Sequence, residues 1–291
     1  MDTYKPPYVI AEIGCNHKGD MDIAKELIKV AKIFCNANAV KFQKRNNKEL
    51  LTEEQYNQPH PNPANSYGNT YGEHREYLEF DVSQHQELKT FCEDIGIDYS
   101  TSVWDLTSAR EITSLNPNFI KIPSACNNNV KMLEWLCENY HGELHISTGM
   151  TSKDEIDDLV NLFKKHKRNK DLVLYNCTSG YPVPFEYVCL LDINLLIEKY
   201  KNDVKHIGFS GHHLGIAVDI AAYTLGANII ERHYTLDRTW KGTDHAASLE
   251  PMGLRKLTRD LNAVYKALKF KNQDILPIEQ EQRKKLKNQK A

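Results

Sequence analysis

Eight short runs rich in β-branched residues recur along the chain, each followed by a segment of helical periodicity. The first run is Tyr8–Ile13, followed by apolar positions at helical spacing over Met21–Phe34. The others are Ala39–Phe42, Asp98–Ser102, Asn118–Ile122, Glu143–Ser147, Leu172–Asn176, His206–Phe209 and Asn228–Glu231. Strands that alternate with helices require parallel pairing, because a parallel neighbour is reached only through a crossover. Eight such units are the count of a closed (β/α)8 TIM barrel. An open doubly wound sheet is the rival, but it usually carries GxGxxG after its first strand, and GCNHKG does not match. The expected organisation is a single barrel domain over residues 1–270. A long loop over 44–83, rich in Asn, Pro, Gly and Tyr, follows the second strand. A solvated, charged tail is expected over 271–291.

Composition excludes several classes. The formal net charge is -2, which is no footprint for nucleic acid. No apolar run approaches the ~20 residues of a membrane span. The start, MDTYKPPYVIAEIG, lacks a basic-then-apolar leader pattern. The 7 cysteines include no CxxC pair and read as reduced thiols, so a cytoplasmic location is expected.

Barrel enzymes build their sites at the carboxyl ends of the strands. Here those ends carry Glu12; Lys41 with Gln43; Ser100 with Thr101; Lys121 followed by Ser124; Ser147; Thr178, Ser179 and Tyr181; Ser210 and His212; and Glu231 with His233. Two lysines among hydroxyls suit a compact phosphate ester. His212 and His233, with Asp244 nearby, suit a divalent metal that keeps open positions. Glu12 in the same cup suits a general base or proton carrier. Together these point to carbon–carbon chemistry on a phosphorylated small molecule.

An ordered series of motifs resembles the sialic acid synthase family and its nonulosonic relatives. It comprises AEIGCNHKGD (Ala11–Asp20), NAVKFQ (Asn38–Gln43), STSVWD (Ser100–Asp105), IKIPSACNNN (Ile120–Asn129), STGM (Ser147–Met150), CTSGYPVP (Cys177–Pro184), GFSGHH (Gly208–His213) and IIERHYT (Ile229–Thr235). The resemblance implies condensation of phosphoenolpyruvate with an open-chain aldose of the N-acetylmannosamine type. The product is a 2-keto-3-deoxy nonulosonic acid plus phosphate, and the implied cofactor is manganese, with magnesium as the other candidate. It implies Glu12, Lys41 and Lys121 as catalytic residues. Lys41, Lys121, Thr101, Ser124, Ser147 and Ser210 would form the phosphoenolpyruvate shell, Asn69, Tyr181, Ser179 and Asp244 the sugar contacts, and His212 and His233 the metal ligands.

Three departures fall on the sugar side. Cys126 stands where the family usually has a second catalytic glutamate. Ser179 replaces an asparagine. The sequence shows no C-terminal antifreeze-like domain, which in relatives brings an arginine to the acyl group across a dimer. The acceptor is therefore expected to be recognised differently, with the 44–83 segment as the candidate lid. A different aldose, or a barrel that binds without catalysis, are the alternatives. A homodimer is the default assembly.

Overall fold

The computed structural model describes residues 4–287. It is a closed barrel of eight parallel strands in sequence order. Along the chain run β1 (Tyr8–Gly14), α1 (Met21–Ile33), β2 (Ala39–Lys44), α2 (Asn47–Leu50), α3 (Glu53–Asn57), α4 (Tyr71–Tyr77), α5 (Val82–Ile95) and β3 (Asp98–Val103). Then follow α6 (Leu106–Ser114), β4 (Phe119–Ile122), α7 (Val130–Asn139), β5 (Glu143–Ser147), α8 (Lys153–Lys165) and β6 (Leu172–Cys177). The last elements are α9 (Asp192–Tyr200), β7 (His206–Gly211), α10 (Ala217–Thr224), β8 (Ile229–His233), α11 (Pro251–Ala267) and α12 (Pro277–Leu286).

Local chemistry sets the helix starts. Asp20 accepts from the amides of Asp22 and Ile23 to open α1. Ser152 and Glu155 form a reciprocal cap on α8, which then buries Ile156, Leu159, Val160 and Phe163 against the barrel. Asp81 and Gln84 cap α5 in the same way.

Side chains alternate across each strand, so every strand divides its residues between two environments. Val9, Ala11 and Ile13 of β1 face the helices and join the large outer core. Ile10, Ala39, Phe119, Val173, Tyr175 and Ile229 face the axis and form a separate inner plug. The next inward layer, toward the carboxyl ends, is polar.

One expectation about an irregular segment needs correction. Residues 44–83 are not a loop without structure, because α2, α3 and α4 lie within them. Thr52 with Gln55 and Thr70 with Glu73 close capping boxes there, in a stretch whose helices are too short to show periodicity. In the charged tail, α12 starts on Pro277 and buries none of its residues, so this stretch is solvated.

Candidate active site

One side chain from each of the eight strands meets above the apolar plug: Glu12, Lys41, Ser102, Lys121, Ser147, Cys177, Ser210 and Glu231 all line a single cavity of about 300 Å³. Strand register brings them level. Glu12 pairs with Lys41 on one side and His233 on the other, Ser102 with Lys121, and Ser210 with Glu231.

The floor is an alternating set of buried charges. Lys41 forms an ion pair with Glu12, donates to Ser102 Oγ at 2.6 Å, and stands 3.9 Å from Glu231. Lys121 donates to Glu231 Oε2 at 3.2 Å, and its ammonium lies 3.2 Å from the Tyr175 ring centroid. Tyr175 is held in turn by His145, whose Nδ1 is 2.7 Å from the phenol oxygen. Burial lifts the Glu12 carboxyl above its usual range, and Lys41 and His233 oppose the rise without cancelling it. Glu231 shifts the other way: burial lifts it, but Lys121 and Lys41 outweigh burial and keep it ionised. Burial pulls the Lys121 ammonium down to about 8, against the attraction of Glu231. A cationic floor poised near neutrality can lose or keep its charge as an anion arrives.

Gly14 sits at a register shift in β1, at φ 56. A Cβ there would stand 2.9 Å from Gln43 Nε2 and 3.3 Å from Glu12 Oε1. The bare backbone leaves room for Gln43 to donate to Glu12 at 3.0 Å.

The wall beside Glu12 carries the two histidines, with ring centroids 5.4 Å apart. His212 Nδ1 contacts the Thr178 carbonyl at 3.1 Å, which leaves Nε2 as the lone-pair nitrogen. Burial, reinforced by His233, pushes the His212 imidazole down to about 3, so it stays neutral as a ligand must. His233 Nδ1 is buried without a hydrogen-bond partner and lies 3.9 Å from Asp244 Oδ2. Tyr181 covers the pair, its ring 4.3 Å from His212 and 5.7 Å from His233. Among the described residues no three His, Cys, Asp or Glu groups converge as a ready metal cage. The donor set therefore fits a metal held by two imidazoles and completed by water and substrate, rather than a closed structural site.

Residues 27–273 match the NeuB family. The chain belongs to that family. It is 39% identical over 278 residues to N-acetylneuraminate-9-phosphate synthase of Homo sapiens, covering 94% of this chain and 74% of that one. It is 33% identical to N,N'-diacetyllegionaminic acid synthase of Campylobacter jejuni, covering 91% of this chain and 78% of the other. Among solved structures, the sialic acid synthetase of Leptospira borgpetersenii, in complex with citrate, superposes with a TM-score of 0.81. That pair shares 30% identity and covers 97% of this chain and 93% of the other. The protein is thus an enzyme of the type that joins phosphoenolpyruvate to an aldose.

Most of the side chains expected for a NeuB-family site do converge. Glu12, Lys41, Lys121, Ser124, Ser147, Ser179, Tyr181, Ser210, His212 and His233 line the cavity, and Asp244 stands beside His233 at its rim. Two expectations fail on position. Thr101 is fully buried on the helix side of β3, donating to the Tyr99 hydroxyl at 2.6 Å. One residue of strand register reverses the face, and Ser102 is the hydroxyl that reaches Lys41. Asn69 is exposed before α4, its amide tied to Glu73, and lies outside the cavity lining. Cys126 packs into the outer core, where burial pushes its thiol up to about 11, so it offers no carboxylate-like group, in line with the departure noted at this position. Glu231 and Gln43, noted at the strand ends but given no role, are central. Both lie two positions from an assigned inward residue, His233 and Lys41, and that period-two relation was the available signal.

Proposed function

We propose that the chain catalyses metal-dependent condensation of phosphoenolpyruvate with an open-chain N-acetylmannosamine-type aldose. The products are a 2-keto-3-deoxy nonulosonic acid and phosphate. One observation carries this reading: two buried lysines sharing one carboxylate line the same cavity as a pair of imidazoles. Lys41 and Lys121 hold the phosphate and carboxylate of the donor, each trading a carboxylate partner for a substrate anion. His212 and His233 would hold the divalent ion, manganese or magnesium, which supplies Lewis-acid polarisation of the acceptor aldehyde when bound.

Carbon three of phosphoenolpyruvate forms the new bond to the aldehyde carbon, and the aldehyde oxygen takes up a proton. The double-bond electrons leave positive charge at carbon two. Glu12 faces that charge, and its raised affinity for a proton equips it to accept one from the water that adds there. Loss of phosphate from the resulting tetrahedral centre leaves the 2-keto group. Gln43 keeps Glu12 oriented throughout.

The unpaired state of all 7 cysteines fits a reducing, cytoplasmic setting. No helix among the described residues is long and apolar enough to cross a membrane.

Reconstitution tests the reading. Purified chain stripped with chelator should release no phosphate. Adding manganese with phosphoenolpyruvate should restore release only when an aldose is present, with N-acetylmannosamine-type sugars leading a panel. His233→Ala should keep its fold by circular dichroism and not respond to manganese. Full turnover in the chelated protein would remove the metal from this account.

A further inference from the structure

A polar chain passes through the apolar plug, from Lys121 to the opposite face of the barrel. The Lys121 ammonium lies 3.2 Å from the centroid of the Tyr175 ring. Gly208 on the next strand makes room for that ring, since a Cβ there would stand 2.8 Å from Tyr175 Cε1. The Tyr175 oxygen is 2.7 Å from His145 Nδ1, and His145 Nε2 is 3.3 Å from Glu143 Oε2. Phe119 stacks on the imidazole at 4.2 Å and fixes its plane. Glu143 and His145 line a second cavity, of about 640 Å³, at the amino-terminal end of the strands. Lys205 donates to Glu143 there at 2.7 Å. The condensation as written gives Tyr175, His145 and Glu143 no task.

The direction of each hydrogen bond in the chain is determined. The bond from His145, with Lys205, holds Glu143 down to about 2, so it is a carboxylate and can only accept. His145 Nε2 therefore carries a proton. Burial pushes the imidazole down to about 4, so the ring is neutral and Nδ1 keeps a lone pair. Burial raises the Tyr175 phenol well above its usual range, so it stays protonated and donates to that lone pair. Every donor thus points away from Lys121. Chained hydrogen bonds polarise one another, and a phenol that donates strongly presents a more electron-rich face to a cation.

The ionisable neighbours of Lys121 are Glu231 on β8, Lys41 on β2 and Cys177 on β6, with Tyr175 on β6 and His145 on β5. Burial keeps Cys177 a neutral thiol, and Glu231 is shared with Lys41. The Tyr175 face is the partner that Lys121 shares with no other cation among the described residues.

We propose that Tyr175, His145 and Glu143 form a positioning chain that keeps the Lys121 ammonium charged and centred for the anionic donor, anchored on the barrel face opposite the substrate. This rests on the reading of Lys121 as a donor contact.

Heteronuclear NMR of the lysine Cε signals tests the chain without turnover, with the Lys121 signal assigned by its loss in Lys121→Arg. Tyr175→Leu removes a contact that favours the charged form, so the Lys121 titration midpoint should fall by about one pH unit. Tyr175→Phe keeps the ring face and should recover roughly half of that shift or more. Glu143→Gln, at the partly exposed end of the chain, should lower the midpoint by about half a unit. Imidazole nitrogen shifts in the wild type should show His145 protonated on Nε2 alone. In steady-state kinetics Tyr175→Leu should raise the phosphoenolpyruvate KM about tenfold and leave kcat within about twofold. An unchanged Lys121 midpoint in Tyr175→Leu or in Glu143→Gln would overturn the proposal, and so would a wild-type His145 protonated on Nδ1. A lowered melting temperature with the midpoint in place would make Tyr175 plug packing only, and would overturn it too. If Tyr175→Leu does not fold, Glu143→Gln decides alone. A shifted midpoint with unchanged phosphoenolpyruvate affinity would support the chain and count against Lys121 as a donor contact in the proposed function.

Discussion

At the scale of single residues, the site is a problem in charge compensation. Lys121 is buried between Glu231 and the face of Tyr175, and burial, reinforced by Lys41, outweighs Glu231 and pulls its ammonium down to about 8. An anionic donor needs that proton in place. The lowered value means the charge is fully present below about 8 and is lost as pH rises through it. The kcat/KM for phosphoenolpyruvate should therefore fall by about tenfold per pH unit above that point. Lys121→Arg, charged at every accessible pH, should lose that limb even if its plateau is lower. A flat profile to pH 10 in the wild type would show that Lys121 does not meet the donor. The neighbouring strand gives a sharper contrast. Ser102→Ala removes a hydrogen bond from Lys41 and should raise the phosphoenolpyruvate KM by about tenfold. Thr101→Val, one residue away on the outer face, should cost about 1 kcal/mol of stability and leave KM unchanged. Steady-state kinetics with thermal melts separates the two. Residue types at strand ends were legible from the sequence, and so was their convergence. Parity was not, because STS offers hydroxyls to both faces and nothing in the composition says which one reaches the lysine.

At the scale of elements, the strands and their covering helices follow from periodicity, but the 44–83 segment does not. α3 and α4 are held by local caps, and all three of its helices are too short for hydrophobic spacing to carry a trace of them. The segment bears on the site through contacts distant in sequence. The Tyr67 hydroxyl donates to the Lys241 carbonyl at 2.6 Å, and Asn65 accepts from the Gly242 amide at 3.4 Å. These contacts join it to the loop that carries Asp244. The Arg45–Glu79 ion pair fastens its base. If the roof depends on local caps, weakening one should loosen it selectively. Thr70→Ala removes the side-chain cap of α4, worth about 1 kcal/mol. Hydrogen exchange at α4 amides should accelerate by about fivefold while the strands keep wild-type protection. Equal acceleration throughout the barrel would mean that α4 is part of the global folding unit.

At the scale of the whole molecule, the barrel supplies what no single element could. Eight strands from distant parts of the sequence each deliver one side chain to a common level, above an apolar plug that keeps water from the floor. Strand number, order and parallel pairing were all legible in the alternation of strands and helices. The ion pairs of Lys41 and Lys121 with Glu231 were not, because contacts of strands two and four with strand eight arise only on closure. Closure also explains why charges of both signs tolerate burial here: Glu12 is matched by Lys41 on the next strand, and Glu231 by Lys41 and Lys121 across the barrel. The central claim is that this floor couples breakdown of phosphoenolpyruvate to formation of a carbon–carbon bond. A quenched time course with manganese, phosphoenolpyruvate and N-acetylmannosamine tests it most directly. Donor consumed, phosphate released and 2-keto acid formed should rise together in equal amounts, and Glu12→Gln should slow all three alike. Phosphate released without an equal yield of 2-keto acid would contradict the account.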